Sequence, residues 1–196
     1  IREQGLPVQR GDGLGLPEIV DVSRTDLEAG RIEDALYAAL LAGETRRVFG
    51  VLAAAFLAGM ALTDLFDGPL RACLHRVGEL YKHDAEGILI EHRAVDICVQ
   101  ALSRIRSALP PPAAKAMAAV GGAPSSDPYL LPSQMATLVL AELGATAMNL
   151  GPETPPRTLQ VAMDKHGAKL LWLSVSPPAA VDPLLRELPA LLEAVE

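Results

Sequence analysis

SDPYLLPSQMATLVLAELGATAMNLGPETPPRTLQVAMDKHGAKLLWLSVS, residues 126–176, decides the fold. A Pro-rich loop opens it. Helical spacing then predicts a helix over 133–143, a strand over 146–150, a helix over 157–166 and a strand over 170–175. Working outward, 115–120 reads as a preceding strand and 183–195 as a closing helix. Strands that alternate with helices imply a parallel sheet joined by right-handed crossovers. The expected strand order is 2-1-3, which places binding at the carboxyl ends of the strands.

The half before this stretch has a different period. Four helices are expected between residues 25 and 109: 26–42, with Thr25 as N-cap and Gly43 as stop; 44–59; a third capped by Thr63; and 88–107. Val48, Leu52 and Phe56 form one stripe, flanked by Val51 and Ala55. Leu70, Leu74, Val77 and Tyr81 form the next, and Ile90, Ala94, Ile97, Ala101 and Ile105 the last. Short connections make such helices antiparallel neighbours, hence a four-helix bundle. Pro110, Pro111 and Pro112 then break the helix and stiffen the join. The expected organisation is a linker over 1–24, a bundle over 25–109 and an α/β domain over 113–196.

Composition limits the partners. At 196 residues the chain buries a substantial core, and its 50% hydrophobic, 4% aromatic content favours packed helices over an all-β sandwich. A net charge of −7 argues against gripping a phosphate backbone unaided. Cys73 and Cys98 fall in helical patterns and read as buried free thiols of a reducing cytosol. The apolar run 48–62 is too short for a membrane span, so a cytoplasmic protein without membrane contact is expected. No Ser-His-Asp set, phosphate loop or carboxylate pair placed for hydrolysis occurs, and the expectation is a protein that is not an enzyme.

The α/β half, with its loop 127–132, resembles the Rossmann-like (flavodoxin-like) cobalamin-binding domain shared by methionine synthase, methyltransferase corrinoid proteins and cobalamin-dependent light-sensing repressors. There the loop carries Asp-x-His-x-x-Gly, whose His ligates cobalt from below. Here the register gives Asp127-Pro128-Tyr129-Leu130-Leu131-Pro132: the Asp survives, Tyr129 stands at the His position and Pro132 at the Gly. The helical half is similar to the cap bundle of repressors of the CarH type. Their Trp-x9-Glu-His corresponds to Tyr81-x9-Glu91-His92, and Asp64, Pro69 and Gly78 also fit. The leader, with Ile1, Arg2, Gly5, Pro7 and residues 14–17, resembles the tail of MerR- or excisionase-type winged-helix domains. The family adds a further strand ending in Gly-Gly, then another helix and strand, which are not seen after the third strand here.

The resemblance implies a set of cofactor-binding positions: Tyr81, Glu91, His92, Asp127, Tyr129, Ser174 and Ser176. An aromatic on one helix lies flat against a large conjugated ligand, while Glu91 and His92 hydrogen-bond its upper substituent. The plain alternative is a Tyr at a bundle end and a half-exposed Glu-His pair near a helix start. Tyr129 is a poor cobalt ligand as a neutral phenol; as a phenolate it suits other metals, as in some haem proteins. Otherwise its ring packs and its hydroxyl hydrogen-bonds. In the family, hydroxyls at the end of the third strand meet the dimethylbenzimidazole tail; Ser174 and Ser176 are equally ordinary strand-end residues. His83 with Asp84 and Glu86 matches no zinc spacing. Trp172 is expected in the core.

These expectations describe the ligand-sensing half of a homo-oligomeric transcriptional regulator that reaches DNA through an upstream domain. Cobalamin, as adenosylcobalamin or another corrinoid, is the expected cofactor, bound without a lower His. Haem in the same fold, or no cofactor, stays open. The rival role is a corrinoid carrier protein of a methyltransferase system.

Overall fold

The computed structural model describes residues 29–82 and 84–192. The leader, the Thr25 cap, His83 and the last turn of the closing helix lie outside the described residues. The chain divides into two compact units, with the division between Ile105 and Arg106.

The first unit is helical: α1 (Ala29–Ala42), α2 (Thr45–Leu57), α3 (Leu62–Leu65), α4 (Arg71–Leu80) and α5 (Ala85–Ala108). Gly43 ends α1 with φ +73°, the left-handed conformation a helix stop needs. Between α3 and α4 the expected single helix is interrupted by a π turn over Phe66–Leu70, where Gly68 takes φ −94°, ψ −107° ahead of Pro69. Proline disfavours helical geometry in the residue before it, and glycine tolerates the result. Thr63 does not cap this stretch. The N-cap is Ala61, in an extended conformation with no side-chain bond. Counted with its kink as one element, α3–α4 gives the four helical segments expected.

The buried faces follow the 3.6-residue period with local corrections. Val48, Leu52 and Ala55 of α2 are buried. On α4 the stripe is Leu70, Cys73 and Val77, with Leu74 half-buried and Tyr81 exposed. On α5 it is Ala94, Ile97, Cys98, Ala101, Leu102 and Ile105, with Ile90 only half-buried. Both cysteines are free and buried. Between α1 and α4, Arg76 donates to Glu33 and Asp34 at 2.8 Å each and lies 3.9 Å above the Tyr37 ring.

The second unit is α/β: β1 (Ala118–Gly122), α6 (Leu131–Glu142), β2 (Thr146–Asn149), α7 (Pro156–His166), β3 (Leu170–Leu173) and α8 (Val181–Leu192), the last entered through a 3-10 turn over Pro178–Ala180. The sheet is parallel with order β2-β1-β3, as the alternation predicted. The first strand runs two residues further than 115–120 and starts three later. The reason is its side chains: Ala118 through Gly122 sink into the fold, whereas Lys115 is exposed.

Register sorts the sheet faces. Val120, Met148, Leu171 and Leu173 share one face, which packs on Leu159, Ala162 and Met163 of α7 and on Leu188 and Leu191 of α8. Gly121, Asn149 and Trp172 alternate onto the opposite face, where α6 covers β1 and β2. Trp172 is half-buried rather than fully buried, because β3 is an edge of this sheet.

Candidate functional site

In the helical unit the three singled-out residues converge. Asp84 accepts the Gly87 N–H at 2.8 Å, the geometry of an N-cap, so α5 begins earlier than the 88 expected. Gly87 is buried, and a Cβ there would overlap the Leu80 carbonyl at the end of α4. That close approach sets the end of α4 beside the first turn of α5. Tyr81, the C-cap residue of α4, thereby lies with its ring centroid 6.4 Å from that of His92 at a tilt of 34°. His92 Nε2 is 3.6 Å from Glu91 Oε2, an ion pair only when the imidazole is protonated. The His92 side chain is 70% exposed and that of Glu91 25%, so the pair offers one open and one half-buried polar group. Ile88 and Leu89, four and three residues before His92, add exposed apolar surface beside it.

The next residue, Arg93, was not singled out by sequence. Its Nη2 donates to the Leu41 carbonyl at 2.8 Å, in the last turn of α1, and its guanidinium lies against Gly43. No local pattern reveals this, because the partners are 52 residues apart. It positions the α5 turn that carries Glu91 and His92.

In the α/β unit the strand ends are tied together. Asp127 is fully buried, and its carboxylate accepts the Tyr129 N–H at 3.0 Å and the Ser176 N–H at 2.6 Å. Its own carbonyl accepts the Glu153 N–H at 3.0 Å. One side chain thus joins the loops after β1 and β3, and its backbone reaches the loop after β2. Thr154, also buried, donates to the Gly151 carbonyl at 3.1 Å, and Ser133 donates to Asn149 Oδ1 at 2.5 Å. Serine at 133 and asparagine at 149 form a part-buried contact that the sequence alone did not mark.

The remaining positions are more open. Tyr129 is 53% exposed. Ser174 is half-buried and bonds through its N–H to the Gly122 carbonyl; Ser176 is exposed. The structure therefore brings Asp127, Tyr129 and Ser176 together through Asp127, and brings Tyr81, Glu91 and His92 together in the other unit.

As a cobalt anchor the 127–132 loop does not fit. It contains no imidazole, and both oxygens of Asp127 are already committed to backbone N–H groups. Among the described residues there is no cluster of three or more His, Cys, Asp or Glu suited to a metal. No described helix is long and apolar enough to cross a membrane.

With that geometry in view, residues 32–106 match the family model described as a B12 binding domain. No curated protein matches the sequence. Among solved structures, the Methanosarcina barkeri monomethylamine corrinoid protein is 17% identical, with a TM-score of 0.62 over 85% of this chain and 79% of that one. A cobalamin-binding protein from Desulfitobacterium hafniense is 18% identical with a TM-score of 0.38, covering 83% of this chain and 78% of its own. The methanol:cobalamin methyltransferase complex of M. barkeri is 17% identical with a TM-score of 0.33, covering 94% and 75%. The first of these shows the fold: a helical half followed by a Rossmann-like parallel sheet of the corrinoid-protein type.

Proposed function

We propose that the chain binds a corrinoid and that the helical unit supplies the principal recognition surface. One observation carries this reading: the B12-binding match spans 32–106, the segment in which Tyr81 and His92 stand 6.4 Å apart with Glu91 beside them. An exposed aromatic ring with adjacent apolar side chains suits the face of a large conjugated macrocycle, and the Glu-His pair suits its polar substituents. Haem draws no support from either comparison.

Two roles use such a module. A carrier of corrinoid between methyl-transfer partners is favoured by the likeness of most of the chain to the monomethylamine corrinoid protein. A sensory role in a homo-oligomeric transcriptional regulator, acting on DNA through an upstream domain, is favoured by the Tyr81-x9-Glu91-His92 register and by the missing loop imidazole. The comparisons lend more weight to the carrier, and the loop more to the sensor. Both roles rest on the same bound corrinoid.

The test of the common reading is direct. Purified protein mixed with methylcobalamin, adenosylcobalamin or cob(II)alamin should carry the corrinoid absorbance through gel filtration. His92→Ala and Tyr81→Ala should reduce retention. A protein that elutes colourless with every corrinoid overturns the proposal. Methyl transfer from methylcobalamin on the protein to a thiol acceptor under a partner methyltransferase supports the carrier; a corrinoid-dependent change in oligomer size supports the sensor.

A further inference from the structure

We infer that the outer flank of β3 and α8 is a homodimer surface, on which a second copy of this chain extends the sheet by antiparallel pairing of the two β3 strands about a twofold axis. The surface shares no residue with the Tyr81, Glu91 and His92 group, and it stands without the corrinoid reading. Leu170-Leu171-Trp172-Leu173 is an apolar quartet with no charge and no proline. Among the described residues β3 pairs with β1 alone, in an unbroken register, so one row of its backbone N–H and C=O groups faces outward. All four residues are only half-buried. A strand edge lacking charge, proline and bulge is a template for another strand. The opposite edge is different: β2 begins with an exposed Thr146 and ends with Asn149, whose side chain is engaged by Ser133 and Gly151.

α8 widens this edge into a surface. Val181, Leu184, Leu185, Leu188 and Leu191 fall within about 120° of arc on the helix, at roughly 100° per residue. One border of that stripe is spent on the core, where Leu191 is buried and Leu188 packs with it against the cluster that holds Leu159 and Met163 of α7. The other border is open: Val181 is 41% exposed and Leu185 58%. α8 follows β3 and lies beside α7, which covers β1, so its open border turns to the β3 side. Unpaired backbone on β3 and uncovered apolar side chains on α8 thus form one continuous flank.

The charges on the flank choose the partner. Lys169 stands immediately before β3, at the amino end of the strand, and Asp182 lies in the first turn of α8, at the carboxyl end; both are exposed. The flank therefore has a basic end, an apolar middle and an acidic end. A twofold axis through the middle of β3 turns one copy end over end. Each Lys169 then meets Asp182 of the partner subunit, and the two α8 helices meet on the same side of the joined sheet through Val181 and Leu185. Pairing the two edges in parallel would instead set Lys169 beside Lys169, and like charges oppose such a contact. The self-complementary arrangement closes after two copies.

Sedimentation velocity and amide hydrogen exchange of the full chain, without added cofactor, test the surface. The expected mass is twice the 20.7 kDa of one chain, and the amides of Leu170–Leu173 should exchange more slowly above the dissociation midpoint than below it. Leu185→Glu should give a monomer with its helical circular dichroism intact, because Leu185 is exposed. Lys169→Glu and Asp182→Lys should each raise the dissociation constant about tenfold. Mixing those two variants should recover the dimer, since each supplies the charge that the other lacks at both ends. A monomer at every concentration up to about 1 mM overturns the inference, and is the outcome expected if a strand of another protein occupies the flank. A dimer that ignores Leu185→Glu, or whose Leu170–Leu173 exchange does not depend on concentration, uses another surface and also overturns it. An open-ended series of larger oligomers, or charge variants that fail to recover on mixing, overturns the twofold arrangement.

Discussion

Asp127 Oδ2 accepts the Ser176 backbone N–H at 2.6 Å, so a side chain in the loop after β1 fixes the chain leaving β3, 49 residues later. The same carboxylate holds the turn at Tyr129. Its burial makes the two bonds consequential, because each N–H would lose a charged acceptor in a site closed to water. Asp127→Ala is expected to lower the unfolding free energy by roughly 3 kcal/mol. Urea denaturation monitored by circular dichroism checks it; a loss below about 0.5 kcal/mol, the range of ordinary surface substitutions, would show the tie to be decorative.

Gly121→Ala places a methyl group into the Trp172 ring. Overpacking of this kind costs about 1–3 kcal/mol. Trp172→Val should recover part of that cost in the double variant but not all, since the Trp172 carbonyl stands in the way as well. A thermodynamic cycle of the four proteins measures the coupling, and strict additivity would mean that the indole is not seated over Gly121.

His92→Ala and Tyr81→Ala remove exposed groups, so each should change stability by no more than about 0.5 kcal/mol. Corrinoid affinity should nevertheless fall about fivefold or more, corresponding to roughly 1 kcal/mol. Titration by absorbance settles the matter. Unchanged affinity in both variants would reduce the Tyr81–His92 contact to an ordinary helix-end pairing.

Burial pushes the thiols of Cys73 and Cys98 from 9.0 to about 12; Arg76 pulls Cys73 partly back, and Cys98 is raised further by its neighbour Cys73. Both groups therefore favour the protonated form in the folded chain more than in the unfolded one. Their contribution to stability is present below pH 9 and is lost as pH rises towards 12. A disulfide-exchange reagent at pH 8 should label them only as fast as the helical unit opens. Labelling at the rate of a free thiol would contradict their burial. The variant with both cysteines changed to Ala should show a flatter loss of stability between these pH values.

Much of the architecture is legible because it depends on short-range pattern. Alternating strand and helix periods gave the parallel sheet and its order, and the Ala94-to-Ile105 stripe set the buried face of α5. The site is legible only in part. Tyr81, Glu91 and His92 have a recognisable spacing, and Asp84-x-x-Gly87 carries a readable helix-start signature. By contrast, the Arg93–Leu41 bond, the Asp127–Ser176 tie and the seat of Trp172 over Gly121 join distant segments. Such contacts leave no periodic trace; they arise only when tertiary packing brings one glycine or one carbonyl to a particular place. The π turn at Gly68-Pro69 was missed for a different reason: its flanks share one continuous apolar stripe, which hides the break.

Arg93 gives the helical unit a mechanical property. It follows His92 directly on α5, and it grips the last turn of α1 through the Leu41 carbonyl beside the stop at Gly43. Successive residues on a helix are separated by about 100° of rotation, so a twist of α5 that swings His92 also swings Arg93. The two side chains form two arms of one lever, set about 100° apart, with the α5 axis as its fulcrum. Any rotation of α5 at His92 would therefore strain the Arg93–Leu41 bond, and Arg93→Gln would slacken that tie to the end of α1.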